Sequence, residues 1–157
     1  VKYWNCGQCL TVPFIELLGF DESLCKLGSG FASGIGQMGD ACGAYTSGAM
    51  LLGSVFGRSY QDLGGDVEEG RDKYRLTCRL VRVFRERFLK EFGAAGINCK
   101  QVQEALFGRS YNILDKEDFK KFCDAGAHHT KCPLIIGGCA KMLAEIMYDE
   151  LKKEQGS

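Results

Sequence analysis

The chain has 157 residues, a length suited to one domain over 1–157 with a substantial buried core. Apolar residues make up 45 % and charged residues 25 %, and 20 basic side chains balance 20 acidic ones. That balance, without a long basic stripe, makes no electrostatic case for nucleic acid, and no apolar run approaches the roughly 18 residues that span a bilayer. No signal peptide is read, although the chain begins at Val1 and a trimmed N-terminus stays open.

In chain order the sequence predicts helices joined by glycine-containing connections. The first runs from the cap Asn5 through CGQCLTVPFIELLG, with Pro13 inside it. FDESLCKLGSGF reads as a second helix capped by Asp21. A glycine-rich approach, GSGFASGIGQMGDACG, leads into a third helix from about Asp40 to the stop at Gly57. Gly39, Gly43 and Ser47 recur every four residues, which gives one small face for a close helix crossing. SYQDLGGDVEEG reads as a polar loop, and RDKYRLTCRLVRVFRERFLKEFG as a long amphipathic helix with a basic face. INCKQVQEALFG is a short helix capped by Asn98, and DKEDFKKFCDAG another capped by Asp115. The last starts near Thr130 or Lys131, with Pro133 in its first turn. No run alternates as a strand does. The expected class is an all-α, single-domain bundle of about six or seven helices.

FGRSY occurs twice, at 56–60 and 107–111. Both copies fall where a helix should stop, with Gly57 and Gly108 as its C-terminal glycines. Two similar helix stops explain this; a diverged duplication, or two arginines serving one site, is the sharper alternative.

Nine cysteines are the anomaly: Cys6, Cys9, Cys25, Cys42, Cys78, Cys99, Cys123, Cys132 and Cys139. An odd number cannot pair completely within one chain. A chain able to build its own core has no need of disulfides. A reducing cytoplasm is the expected setting, with cysteines acting as ligands, redox centres or buried apolar residues.

Four of the nine fall in the first turn of four different predicted helices: Cys6, Cys42, Cys99 and Cys132. A helix N-terminus offers unpaired N–H groups and the positive end of the dipole. Both favour thiolate and should lower the thiol pKa. Converging N-termini would suit an anionic, sulfur-ligated group such as an iron–sulfur cluster, or zinc bound by four thiolates. The four are tens of residues apart, unlike the close ligand pairs of most metal motifs, and small buried residues near helix starts remain the plain alternative.

Other features admit two readings each. GSGFASGIG is neither a dinucleotide fingerprint nor a phosphate loop; it is a backbone that passes close to something, or a flexible connection. His128 and His129 precede Cys132 and could complete a mixed Cys/His site, or stand as solvent-exposed loop residues. The arginines of RLTCRLVRVFRER could dock an acidic partner, or form a solvated face. No Ser-His-Asp arrangement or HExxH motif is present, and an enzymatic activity is neither claimed nor excluded.

The segments NCGQC, GFASGIGQMGDACGAYTSGAMLLG, INCKQ and KCPLIIGGCAKML resemble the C-GCAxxG-C-C family of redox-active proteins. The resemblance covers most of the chain. It places the family's four cysteines on Cys6, Cys42, Cys99 and Cys132, and its central motif on Cys42-Gly43-Ala44, with Ser47 in place of a family glycine. It implies a redox role in bacteria or archaea, often anaerobic, beside oxidoreductase and cytochrome components. Cys6 then belongs to the four-cysteine set and Cys9 is an addition to it. A thioredoxin-like Cys6-x-x-Cys9 centre would need a preceding strand, and only five residues precede Cys6.

The expected function is therefore electron transfer through an iron–sulfur cluster, [2Fe–2S] favoured over [4Fe–4S], ligated by Cys6, Cys42, Cys99 and Cys132. Its partners would be other redox proteins, with a homodimer sharing the cluster as one arrangement. A cofactor-free thiol–disulfide oxidoreductase using Cys6 with Cys9 or Cys42, and a zinc or other metal-binding module, are the alternatives.

Overall fold

The computed structural model describes residues 4–155, apart from the side chain of Glu154. Among the described residues there are seven α-helices: α1 (Cys6–Leu18), α2 (Ser23–Leu27), α3 (Gly43–Phe56), α4 (Val67–Phe92), α5 (Cys99–Phe107), α6 (Lys116–Asp124) and α7 (Cys132–Gln155). There is no strand among them, only one isolated antiparallel bridge between Ala41 and Asn98. The all-α expectation holds. No helix of the described residues is long and apolar enough to cross a membrane.

α3 is the central element and packs against α1, α4 and α7. The core is filled by Leu10 and Phe14 of α1, Leu51 and Leu52 of α3, Phe84 and Phe88 of α4, and Leu143 of α7. In α4 the apolar stripe Leu80, Phe84, Phe88, Phe92 recurs every four residues, the spacing that keeps one helical face inward. Tyr45 stacks flat on Phe84 at 5.3 Å between ring centres. A smaller cluster around Ile113, Phe122 and Ala127 packs with Phe107, Tyr111 and Cys132.

The small face of α3 does what its spacing predicts, over a shorter length. A Cβ on Gly7 of α1 would meet the Ser47 Oγ at 2.9 Å and the Gly28 carbonyl oxygen at 2.5 Å. A Cβ on Gly48 would meet the Phe84 ring at 2.4 Å. These glycines let α1 and α4 close onto α3. Gly39 lies outside the helix, against the Lys100 side chain, because α3 begins at Gly43 and not near Asp40.

Other boundaries also differ from expectation. The second predicted helix divides into α2 and a 3-10 turn over Gly28–Phe31. α4 starts at Val67, inside the stretch read as a loop, because the Asp66 carboxylate accepts from the N–H groups of Glu68 and Glu69. Residues Ala127–Lys131 form a π-helical turn that runs directly into α7. The two FGRSY copies end their helices differently. Gly108 takes the left-handed conformation at φ 76°, whereas Gly57 is extended.

Candidate functional site

Start at α1. The Asn5 Oδ1 accepts from the N–H groups of Gly7 and Gln8 at 3.0 and 3.1 Å, which fixes Cys6 as the first helical residue. The Asn5 Nδ2 donates to the Ser29 carbonyl oxygen at 2.9 Å, and the Gln8 Nε2 donates to the Ser29 Oγ at 2.9 Å. Two side chains of one helix turn thus tie the Cys6 end to the 3-10 turn. The Cys6 sulfur lies beside α3: a Cβ on Gly43 would come within 2.4 Å of the Cys6 Sγ, so only glycine fits there.

The glycine-rich connection is an ordered structure. Ser33, Gly34, Ile35, Gly36 and Gln37 all have positive φ, between 45° and 83°. Five consecutive left-handed residues are rare for L-amino acids, and Ile35, a β-branched residue, is the most strained of them. The turn is closed by Gly39 N–H to Ser33 O and Asp40 N–H to Gly34 O, both at 3.1 Å. It brings the Ser33 N–H to the Cys6 sulfur. This supports the close-approach reading of the glycines and not the flexible one.

The same turn delivers Cys42 to Cys99. The Cys42 N–H donates to the Ile97 carbonyl oxygen at 2.8 Å, and the Cys99 N–H donates to the Asp40 carbonyl oxygen at 2.6 Å. Cys42 caps α3, and Cys99 is the first residue of α5. Cys132 is the first residue of α7, but its N–H already donates to the Ala127 carbonyl oxygen through the π turn. The expectation of four open helix N-termini therefore fails at α7, where the chain enters already helical.

Cys6, Cys42, Cys99 and Cys132 line one cavity of about 50 Å³. Cys9 joins them on its wall. All nine cysteines are free thiols. The lining also includes the apolar and aromatic side chains of Trp4, Leu106, Phe107, Phe122 and Ile135, together with His128. The His128 Nδ1 lies 3.5 Å from the Cys123 Sγ, and its ring packs against Trp4 at 4.7 Å. His128 is thus held at the cavity, while His129 is exposed, so the two neighbours separate in role. Cys25 and Cys78 are not part of the wall.

The electrostatics reverse one expectation. Burial pushes the Cys6 thiol up, against the opposing pull of the N–H groups of Ser33 and Gly7. Burial raises Cys42 well above the ordinary thiol range, and the neighbouring thiols Cys6 and Cys99 add to this. Cys99 is pushed up to about 11 by burial and Cys132 to about 12. Cys139, fully buried, is raised for the same reason. Desolvation outweighs the helix-end field at these positions. Burial thus favours the protonated thiol at these four positions.

Gln103 was not visible as a site residue from the sequence. It is buried, lines the cavity, and donates from Nε2 to the Cys99 Sγ at 3.3 Å. Its spacing of four from Cys99 on a helix is the signal that could have found it. The FGRSY arginines do not share a site. Arg58 lies over the Tyr74 ring at 5.2 Å and Arg109 over the Tyr111 ring at 4.4 Å.

The donor chemistry fits a soft, thiolate-bound group, since five thiols face one partly apolar space. Among the described residues, no three His, Cys, Asp or Glu side chains are arranged closely enough to hold a metal ion. A family model described as "Putative redox-active protein (C_GCAxxG_C_C)" matches residues 4–146. No curated protein and no solved structure matches the chain.

Proposed function

The chain belongs to the C-GCAxxG-C-C redox-active family, and on that premise we propose that it carries electrons through an iron–sulfur cluster held by Cys6, Cys42, Cys99 and Cys132. One observation carries the reading: four cysteines from α1, the start of α3, α5 and α7 line the same cavity as free thiols. Such a cluster would supply a one-electron couple. The form proposed is [2Fe–2S].

The chain's own groups have definite parts in this. The four thiols lose their protons to become ligands. The Ser33 N–H beside Cys6 and the Gln103 Nε2 beside Cys99 offset negative charge on sulfur. The aromatic wall of Trp4, Phe107 and Phe122 limits the access of water. A donor redox protein would supply the electron and an acceptor redox protein would remove it, in a reducing cytoplasm.

The position of Cys9 favours a second reading. It lines the same cavity one helical turn beyond Cys6. In that case two thiols would form a disulfide, and their two electrons and two protons would reduce a partner disulfide. The test is reconstitution with iron and sulfide under argon, followed by absorption spectra of wild type and of Cys6→Ser, Cys9→Ser, Cys42→Ser, Cys99→Ser and Cys132→Ser. The proposal predicts visible bands in wild type and Cys9→Ser, lost or altered in the other four. A colourless wild type would overturn it. A colourless wild type whose disulfide-reducing activity is lost in Cys9→Ser would establish the second reading.

A further inference from the structure

The second FGRSY segment supports the Cys99 sulfur through Gln103. The Gln103 side chain is 3 % exposed and spans two elements. Its Oε1 accepts the Tyr111 N–H at 2.7 Å, and its Nε2 donates to the Cys99 Sγ at 3.3 Å. The Tyr111 contact settles which end of the amide is which. An N–H is a donor only, so the oxygen must face Tyr111 and the nitrogen must face the sulfur.

Tyr111 is itself held in place. The Arg109 guanidinium lies over its ring and also pairs with the Asp118 carboxylate at 2.6 Å. The other Asp118 oxygen accepts the Asn112 N–H at 2.7 Å. Asp118 is in turn placed by the Asp115 carboxylate, which accepts its N–H at 2.8 Å at the start of α6. A chain of contacts thus runs from α6 through residues 109–112 to the sulfur. The first FGRSY copy has no such arrangement: Tyr60 is 85 % exposed.

We infer that Gln103 is a positioning residue that tunes the redox group through a hydrogen bond to the Cys99 sulfur, its amide held in the donating orientation by the Tyr111 N–H. This rests on the cluster reading above. An N–H donated to a ligand sulfur stabilises the more negative, reduced state, and so raises the potential. The other chain groups on the cavity wall offer Cys99 no second side-chain donor among the described hydrogen bonds.

The test uses full-length wild type, Gln103→Met and Gln103→Leu, each reconstituted with iron and sulfide. Iron and sulfide per chain are measured first, then the midpoint potential and the iron–thiolate Raman bands in H₂O and D₂O. Gln103 in the stated role gives a lower potential in both variants, and a D₂O-sensitive band in wild type that both lose. Loaded variants with unchanged potential and an unchanged isotope effect overturn the inference and leave the cluster reading standing. If neither variant loads, Gln103→Asn, whose shorter amide falls short of the Cys99 sulfur, takes their place: a lowered potential and a diminished D₂O shift support the inference, and wild-type values of both overturn it. A wild type that binds no iron or sulfide overturns both.

Discussion

Cys42 and Cys99 are locked to each other's strands of chain by two backbone hydrogen bonds. The Cys42 N–H reaches Ile97 and the Cys99 N–H reaches Asp40, on either side of the Ala41–Asn98 bridge. Each cysteine therefore starts its helix from a shared, rigid clasp. The clasp also uses up both cysteine N–H groups, so neither can donate to a bound group. Donors to sulfur must come from elsewhere, as the Gln103 Nε2 does at 3.3 Å from the Cys99 Sγ.

Gly43 should be irreplaceable. A Cβ there would meet the Cys6 Sγ and the Phe31 carbonyl oxygen, both at 2.4 Å. The carbonyl is backbone and cannot swing away. Gly43→Ala is expected to cost about 1–3 kcal/mol, the range for overpacking a tight site. Urea denaturation measures this, and reconstituted iron per chain should fall with it because Cys6 is displaced.

Ser47 should be improvable. Its Oγ is buried at the crossing of α1 and α3, with no hydrogen-bond partner among the described residues. Ser47→Ala removes an unsatisfied hydroxyl without adding volume, and is expected to raise stability by about 1 kcal/mol. The denaturation midpoint should rise while the slope stays constant. The close approach of Gly7 shows why a larger residue would not serve.

The left-handed turn should be sensitive at Gly34. Its φ is 83°, and an added Cβ would meet the Asp40 oxygen and nitrogen at 2.5 and 2.6 Å. Gly34→Ala is expected to cost about 2–3 kcal/mol, from a strained conformation together with a backbone clash. Hydrogen exchange should show loss of protection at Gly39 and Asp40, whose N–H groups close the turn.

Glu150 should give the fold part of its acid sensitivity. Burial pushes its carboxyl up, but hydrogen bonds from Lys153 and Arg79, with their charges, pull it below the usual range. A carboxyl depressed in the folded state contributes stability above its unfolded pKa of about 4.3 and loses it as pH falls through the folded value. Stability curves from pH 6 down to pH 3 should show a shallower acid decline in Glu150→Gln than in wild type.

Much of this was legible in the sequence. The caps Asn5, Asn98 and Asp115 marked helix starts, and the four cysteines stood out because each fell at one of the predicted starts. The family resemblance picked the same four. The helix boundaries that were missed have local causes. Asp66 caps α4 from inside a polar, glycine-bearing stretch, and Gly126 with φ 86° opens the π turn that fuses 127–131 to α7. The thiol pKa direction was missed because helix-end position can be read from spacing, whereas burial depends on what packs around it. Gln103 was missed because its role depends on Tyr111, a contact between α5 and the segment after it.

The central proposal is a redox group bound by the four thiols. Iron and acid-labile sulfide per chain, assayed together with zinc on protein purified without oxygen, test this most directly. Iron and sulfide are expected in equal amounts, about two of each per chain, with negligible zinc. Protein free of iron and sulfide, both as purified and after reconstitution, would contradict it.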